Sequence, residues 1–301
     1  MVAPTATCAV RLDGVVKRFG SVTAVAGLDL TVRPGEIIAF LGPNGAGKTT
    51  SIDMMLGLSR PDSGTVQILD DTPARAIAHG RVAAVMQTGG LLRDLTVAET
   101  TRLTAALFSF ARPVEEVLRR AGIWEIADRR VGSCSGGQQQ RLRFALALLP
   151  DPDLMILDEP TTGMDVEARR DFWAAIRQDA AGGRTVLFAT HYLDEADAYA
   201  DRIVLIHRGR VVADGTPAQI KNLASGRTVS VTLPGADQVA LLAVPGVETV
   251  ELRGDRVLIR AHDSDGVARH LLQHTPARDL EISAHNLEDA FLTLTSDGST
   301  R

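Results

Sequence analysis

The sequence predicts an α/β fold built on a parallel sheet, followed by a smaller α+β domain. Between residues 36 and 206, short apolar runs alternate with helical stretches, as buried parallel strands do with the helices that connect them. This alternation stops near residues 224–226, and shorter elements follow. The chain has 301 residues, 45% of them hydrophobic and 23% charged, which suits two folded domains and excludes a disordered or collagen-like chain.

The elements of the larger part follow from its apolar pattern. Residues 9–16 and 22–32 are predicted to form two strands joined by a turn at Phe19 and Gly20, which adds a small antiparallel sheet. A largely helical block, residues 96–147, then interrupts the strands of the main sheet. The predicted buried strands of the main sheet are residues 36–41, 154–157, 185–189 and 202–206. Together these elements predict a layered α/β architecture.

The smaller domain is predicted to begin after residue 224, so that the domains are residues 1–224 and 225–301. Its elements alternate in the order strand, helix, strand, strand, helix, strand, which is the ferredoxin-like arrangement. Their predicted bounds are 228–233, 236–243, 248–252, 257–261, 266–274 and 280–283. A last helix, 287–294, places its apolar residues on one face; they are Leu287, Ala290, Phe291 and Leu294.

Charge and composition exclude several classes of partner. The formal net charge of -5 gives no general basic surface, so no nucleic-acid partner is expected. Cys8 and Cys134 are too few for a disulfide framework and indicate a reducing compartment. No apolar run approaches the ~18–20 residues of a membrane helix, so we expect any membrane-spanning part to belong to another chain. Three arginine pairs lie among acidic residues and are interpreted as solvated helix surface: Arg119 and Arg120, Arg129 and Arg130, Arg169 and Arg170.

A glycine-rich segment at residues 42–49 matches the phosphate-binding pattern G-x-x-x-x-G-K-[ST]. It follows a predicted strand and precedes a helical stretch, which is the context that the pattern requires. Glycines let the backbone turn tightly and direct N–H groups at phosphate oxygens, while Lys48 would reach the β- and γ-phosphates and Thr49 would bind Mg²⁺. The predicted nucleotide-binding residues here are Gly42, Asn44, Gly45, Gly47, Lys48, Thr49 and Thr50. The alternative is a glycine-rich turn without a ligand.

An apolar run, residues 154–157, ends in two carboxylates, Asp158 and Glu159. This places both at the carboxyl end of a buried strand, the edge of such sheets where ligands bind. Asp158 is suited to hold Mg²⁺ through water, and Glu159 to accept a proton from an attacking water. Alone, the pair could be a simple strand end, but the upstream phosphate-binding loop favours nucleotide hydrolysis.

A second glycine segment, Cys134-Ser135-Gly136-Gly137-Gln138, lies at the end of the helical block. It can begin a helix and offer a hydroxyl, N–H groups and the positive end of a helix dipole to an anion. The segment resembles the LSGGQ signature of the ATP-binding cassette (ABC) ATPases, with Cys134 in the place of leucine. The resemblance covers about residues 8–222. It implies a P-loop ATPase cassette with a RecA-like parallel-sheet core, an N-terminal antiparallel β subdomain and a helical subdomain.

The same resemblance implies roles for four further residues. Gln87 would contact Mg²⁺ and the attacking water, and His191 would contact the γ-phosphate and help to position that water. Asp165 would lie in a loop that crosses a dimer interface, and Phe19 would stack on adenine. The residues alone leave alternatives open, since Gln87 and His191 could be ordinary polar residues, Asp165 a helix N-cap and Phe19 a core residue.

The resemblance also implies a cyclic motor with partners. Two copies would form a head-to-tail homodimer that holds ATP between the phosphate-binding loop of one chain and the signature of the other. A separate permease would receive the motion through residues 87–95, at the cytoplasmic face of the cell membrane. The ending L-E-D-A-F-L-T-L-T, residues 287–295, is similar to that of exporter ATPases of the daunorubicin-resistance type, which implies export of a drug, antibiotic or lipid. Alternatives are an importer ATPase, a soluble ATPase acting on ribosomes or DNA, and a regulatory ATPase that carries no substrate.

Overall fold

The structure, a computed structural model, describes residues 6–86, 90–223, 227–284 and 287–296. It divides into two compact units, Met1–Pro217 and Ala218–Arg301. The boundary expected from sequence, between residues 224 and 225, falls outside the described residues and stays a prediction.

A three-stranded antiparallel sheet opens the first unit. Its strands are β1 (Val10–Phe19), β2 (Val22–Val32) and β4 (Ser63–Ile68), in the order β2-β1-β4. The β1–β2 hairpin turns at Gly20, whose φ of +57° lies in the left-handed region that glycine adopts readily. Phe19 and Val22 face each other across this turn. The small N-terminal sheet predicted from the sequence is confirmed.

A six-stranded sheet forms the centre of the first unit. Its strands are β3 (Ile37–Leu41), β5 (Val82–Val85), β6 (Leu154–Asp158), β7 (Thr185–Ala189), β8 (Arg202–His207) and β9 (Arg210–Gly215). They lie in the order β5-β6-β7-β3-β8-β9, parallel except for β9, which is antiparallel to β8. Every residue of β3, β6 and β7 is buried, so both faces of these strands are covered. The predicted parallel sheet is therefore confirmed.

Helices connect the strands of the first unit. They are α1 (Lys48–Met55), α2 (Pro73–Ala78), α3 (Val97–Ala105), α4 (Val114–Arg120), α5 (Gly136–Leu148), α6 (Val166–Ala181) and α7 (Leu193–Tyr199), and α8 (Pro217–Leu223) follows them. The predicted helical block consists of α3, α4 and α5 between β5 and β6. Among the described residues, no helix combines the length and the apolar character that crossing a bilayer requires.

The second unit contains a four-stranded antiparallel sheet. Its elements are β10 (Arg227–Thr232), α9 (Gln238–Leu242), β11 (Val247–Arg253), β12 (Arg256–Ala261), α10 (Ser264–His274), β13 (Arg278–Ala284) and α11 (Leu287–Ser296). The strand order β11-β12-β10-β13 is that of a ferredoxin-like sheet, and the prediction is confirmed. Val229, Ile259 and Leu271 are fully buried in its core. Leu287 and Ala290 of α11 are also buried, as its apolar face predicts.

An aromatic cluster attaches α6 to its neighbours. The indole of Trp173 is fully buried, with ring centroids 4.5 Å from Phe188 on β7 and 4.9 Å from Tyr199 on α7. Such aromatic contacts stabilise beyond the area that they bury. The packing of α6 on the sheet therefore depends strongly on Trp173.

We expect Trp173→Ala to lower the free energy of unfolding by about 3–5 kcal/mol, because it leaves a cavity where the indole was. Val166→Ala, on the same helix, removes methyl groups from a residue that is 83% exposed and should change it by less than about 0.5 kcal/mol. Urea unfolding followed by far-ultraviolet circular dichroism measures both variants. Equal shifts of the two midpoints would contradict the packing role of Trp173.

Candidate active site

The glycine-rich loop lies between β3 and α1, as its pattern predicts, and it is closely packed. At Gly42, an added Cβ would lie 2.4 Å from the carbonyl oxygen of Ile206 on β8. At Gly47, φ is +103° and a Cβ would lie 2.4 Å from the carbonyl oxygen of Ala24 on β2. Only glycine fits at these two positions, so the loop backbone can pack closely against both sheets.

A cavity of about 640 Å³ opens beside this loop. It brings together three of the predicted groups: the glycine-rich loop, the acidic pair at the end of β6, and His191 after β7. The lining residues are Val22, Thr23, Ala24, Asn44, Gly45, Gly47, Lys48, Thr49, Thr50, Asp158, Glu159 and His191. Ligands of parallel sheets bind at this carboxyl edge of the strands. The cavity therefore has the position and the groups of a nucleotide site.

The predicted adenine-stacking residue, Phe19, is not among the described residues that line the cavity. Phe19 is 55% exposed, so the alternative of core packing is wrong, and the ammonium of Lys17 lies 5.4 Å from its ring centroid. Gln87 lies outside the described residues, and its predicted contact with Mg²⁺ stays a prediction.

Buried charges face each other across the cavity. The Lys48 ammonium donates to the carbonyl oxygens of Gly42 and Pro43, the latter at 3.2 Å. Burial lowers the pKa of Lys48, against the opposing effect of Glu159 and Asp158. Burial also raises the pKa of Asp158; Glu159 raises it further, and Lys48 opposes the change. The cavity thus offers an ammonium for phosphate oxygens and a carboxylate for a cation.

Glu159 and His191 meet at the rim of the cavity. Nδ1 of His191 lies 2.7 Å from Oε2 of Glu159, and the His191 side chain is 57% exposed. Apart from this approach, Oε2 is buried without a hydrogen-bond partner in the described part of the chain. The N–H of Glu159, whose φ is +51°, donates to the carbonyl oxygen of Ala189 at 2.9 Å. A carboxylate with a free acceptor, fixed by its backbone beside an imidazole, is suited to take a proton from water.

The second glycine segment caps helix α5. The Ser135 hydroxyl accepts from the N–H of Gln138 at 3.2 Å, and the Gln138 side chain accepts from the N–H of Ser135 at 3.0 Å. This reciprocal capping box confirms that the segment begins a helix. The first N–H groups of the helix, including those of Gly136 and Gly137, have no intrahelical acceptor and can bind an anion.

A separate cavity of about 340 Å³ adjoins this segment. Its lining includes Ser135, Gly137, Gln138, Gly163 and Asp165. The Asp165 carboxylate accepts from the N–H of Ala168 at 2.8 Å, so its predicted N-cap role on α6 is confirmed. In the described part of the chain, the two cavities have no lining residue in common.

Comparison with known proteins decides the family. A family model described as "ABC transporter" matches residues 25–162. The chain is 39% identical to the Nod factor export ATP-binding protein I of Paraburkholderia xenovorans (strain LB400), over 95% of this chain and 97% of that protein. A protein of the same name from Burkholderia lata is also 39% identical, over 93% and 95%. The chain belongs to the ABC transporter ATP-binding proteins.

Solved structures agree with this assignment. A nucleotide-free cassette from an ABC transporter matches with a TM-score of 0.64 at 25% identity, over 71% of this chain and 94% of that chain. A dimeric, post-hydrolysis cassette bound to ADP and Pi matches with a TM-score of 0.62 at 26% identity, over 69% and 98%. The expected cassette fold is confirmed, and this ABC ATPase binds nucleotide and hydrolyses ATP.

Cys134 is the departure of this ABC ATPase from the LSGGQ pattern. Its side chain is buried, burial raises the pKa of the thiol, and Sγ lies 3.5 Å from the carbonyl oxygen of Arg130. A buried thiol of raised pKa behaves as a small apolar residue. Cys134 therefore fills the place of the leucine by packing.

Sequence reasoning missed two carboxylates near the ATPase site. Asp53, on α1, has a pKa raised by burial, and its charge contributes to the raised pKa of Asp158. Glu195, on α7, is 2% exposed and accepts hydrogen bonds from Thr161 and Thr190. Glu195 stands in the first turn of α7, where an acidic residue is ordinarily explained by the helix dipole, so the sequence carries no separate indication of its burial.

We expect Asp158→Asn to raise the melting temperature of the nucleotide-free ATPase at pH 8. The pKa of Asp158 is higher in the folded protein than in the unfolded chain. At a pH above the folded-state pKa, the ionised carboxylate therefore destabilises the fold. At a pH below the ordinary value of about 4, Asp158 is protonated in both states and this destabilisation is absent. The gain should therefore disappear as the pH falls to about 4. Melting curves in a metal-free buffer at pH 8, 6 and 4 measure it, with the exposed Asp128→Asn as control. A gain of equal size at all three pH values would contradict the raised pKa.

Proposed function

We propose that this ABC ATPase powers the export of a drug, antibiotic or lipid-like substrate through a separate membrane permease, with two copies closing head to tail around ATP. The observation that carries the proposal is the 39% identity, over 95% of the chain, with a protein named for Nod factor export. That match includes the second unit as well as the cassette. Residues 1–224 would form the ATP-binding domain and residues 225–301 an accessory domain.

The first cavity would hold ATP by its phosphates. The Lys48 ammonium would leave its loop carbonyls for the β- and γ-phosphate oxygens, and the N–H groups of Gly45 and Gly47 would bind the same anions. Phe19 would stack on adenine, because its exposed ring faces Val22 across the hairpin and Val22 lines the cavity. Asn44 and Thr50 complete the polar lining.

The residues present fit a magnesium ion. The Thr49 hydroxyl and the Asp158 carboxylate both line the cavity, and such hard oxygen donors are the ligands that Mg²⁺ prefers. Asp158 would act through water, and Gln87 would complete the set. A bound Mg²⁺ neutralises charge on the phosphate oxygens.

Hydrolysis would use the pair at the rim. Water attacks the γ-phosphorus, its proton passes to the Glu159 carboxylate, and the bond to the ADP oxygen breaks. His191, 2.7 Å from that carboxylate, would contact the γ-phosphate and help to orient the water. Lys48 would stabilise the charge that develops on the phosphate oxygens.

The separation of the two cavities supports the dimer. Within one chain, the signature lines a different cavity from the phosphate-binding loop, so a partner would bring its signature to the γ-phosphate. The Ser135 hydroxyl accepts from Gln138, which leaves its own proton to donate to a phosphate oxygen. Gly136 and Gly137 would add their N–H groups, and Asp165 would lie at the dimer interface.

An apolar groove on the first unit supports a permease contact. The groove, of about 460 Å³, runs along the edge strand β5 and is lined by Ile77, Gly80, Val82, Ala83, Ala84, Val85, Met86, Gly90, Leu91, Phe108, Arg143, Leu146, Ala147 and Pro150. It overlaps the predicted contact segment, residues 87–95. Apolar grooves of this kind mark interaction sites. An amphipathic helix of the permease would fit there, at the cytoplasmic face of the cell membrane.

Recovery of the permease tests the export proposal. Tagged Glu159→Gln protein is added with ATP to membranes of the native host and purified in mild detergent. We expect an integral membrane protein to co-purify, and reconstituted vesicles containing both chains to move substrate outward from the ATPase side. Recovery of ribosomal or nucleic-acid partners alone would contradict the proposal.

Phe108→Glu should abolish this co-purification and leave basal ATPase activity within about twofold, because a charge in the apolar groove opposes burial of a permease helix. Val212→Glu is a matched control, since Val212 on β9 has the same 37% exposure and lies outside the groove. Quantitative immunoblotting of the permease against the tagged chain measures the effect. Equal amounts of co-purified permease with both variants would show that the permease contacts the ATPase outside this groove.

Glu159→Gln should retain ATP binding and reduce kcat by about 10²-fold or more, because an amide cannot accept the proton of water. It should also shift the protein to a dimer in ATP, since the closed state is no longer released by hydrolysis. Phosphate release and light scattering on a sizing column measure these two effects. Unchanged turnover would remove Glu159 from its proposed role.

A further inference from the structure

Glu195 is buried, in the first turn of α7. Its Oε1 accepts from the Thr161 hydroxyl, and its Oε2 accepts from the Thr190 hydroxyl at 3.2 Å. Nε of Arg169, on α6, lies 3.3 Å from Oε1. Glu195 is not among the residues that line the cavity, so its effect on the site is indirect.

The two threonines belong to the two segments that carry the reacting groups. Thr161 follows Glu159 by two residues, and its carbonyl oxygen accepts from the N–H of Met164, in the turn that leads to the α6 N-cap. Thr190 directly precedes His191, and its hydroxyl oxygen accepts from the N–H of Tyr192 at 3.0 Å. The Glu195 carboxylate therefore binds both the segment that carries Glu159 and the segment that carries His191.

Arg169 adds a third attachment. Its guanidinium carbon lies 4.6 Å from the ring centroid of Tyr192, the residue after His191. Arg169 belongs to the first turn of α6, whose N-cap is Asp165. An ion pair to the Glu195 carboxylate and a cation–π contact to the Tyr192 ring thus connect the start of α6 to the segment that carries His191.

We propose that Glu195 is a positioning residue for ATP hydrolysis, which holds His191 in register with the segment from Glu159 to Asp165. The inference rests on the roles proposed above for Glu159 and His191. Near-attack geometry is sensitive, because a displacement of about 1 Å can cost about 10²-fold in rate. A single carboxylate shared by the two segments limits such displacements.

Fold stability alone does not explain a carboxyl group at this position. Burial raises the pKa of Glu195, against the opposing effects of the Thr161 hydroxyl, the charge of Arg169, the Trp173 indole and the Thr190 hydroxyl. Buried ion pairs contribute little net stability compared with neutral residues of similar volume. A neutral glutamine should therefore fold at least as well, while it loses the acceptor for Thr190 and the charge that pairs with Arg169.

The test is steady-state ATPase kinetics of the full chain. We expect Glu195→Ala to lower kcat at least about tenfold, with KM for ATP within about twofold of the starting protein. Glu195→Gln, which retains size and one acceptor, should keep the same melting temperature and lose less activity. Asp194→Asn, an exposed neighbour on α7, is the matched control and should leave kcat unchanged.

A double-mutant cycle with His191→Ala separates positioning from general damage. If Glu195 acts through His191, Glu195→Ala should cause little further loss of kcat in the His191→Ala background. Three outcomes would each overturn the inference. The first is a loss of kcat in the double variant that equals the product of the two single losses, and the second is a normal kcat in Glu195→Ala. The third is a loss of activity in Glu195→Gln that comes with a raised KM and with a fall in melting temperature equal to that of Glu195→Ala. A normal kcat in His191→Ala would overturn the proposed site itself, and the role of Glu195 with it.

Discussion

The parallel pairing of β3, β7 and β6 determines where the chemistry of this ABC ATPase lies. Phe40 and Asp158 both pair with Ala189, so the three strands end within one residue of one another. The segments that leave these ends begin with the glycine-rich loop, with Glu159 and with Thr190 before His191. One register therefore collects a phosphate-binding loop, two carboxylates and an imidazole at a single edge. A shift of one residue in either pairing would separate them by about 3 Å.

Burying the charged groups at this edge of the sheet costs free energy in the nucleotide-free protein. Burial pushes the pKa of Lys48 down and that of Asp158 up, which means that each ionised group is less stable there than in water. The Lys48 ammonium compensates with loop carbonyls. Phosphate oxygens and a divalent cation would supply stronger partners to the same groups. Binding of nucleotide would thus offset the desolvation cost of these buried charges. Gly42 and Gly47 allow the loop backbone to lie close to the bound phosphates.

Most of this site could be predicted because its residues stand at strand ends or in a turn with a fixed pattern. The partners behind it could not, because they depend on tertiary contacts between distant segments. Glu195 has the sequence context of an ordinary helix start, and Arg169, interpreted as solvated surface, pairs with that buried carboxylate. The exposure of Phe19 could not be predicted from the sequence either, since an aromatic residue at a hairpin end can pack inward or outward. The order of elements in the second unit was readable because each turn and each apolar run there is short and distinct.

The two cavities of one chain are also physically connected. Gly136 and Gly137 of the signature pack directly against the Gly163–Met164 turn, where added Cβ atoms would lie 3.5–3.9 Å from Gly163 and Met164. The same turn is joined through Thr161 to Glu195, and so to the strand end that carries His191. In the proposed head-to-tail dimer, a change at the γ-phosphate of one site would move this turn, and with it the signature that completes the other site. Such coupling between the two sites would follow from packing alone, because packed segments with few voids transmit displacement directly.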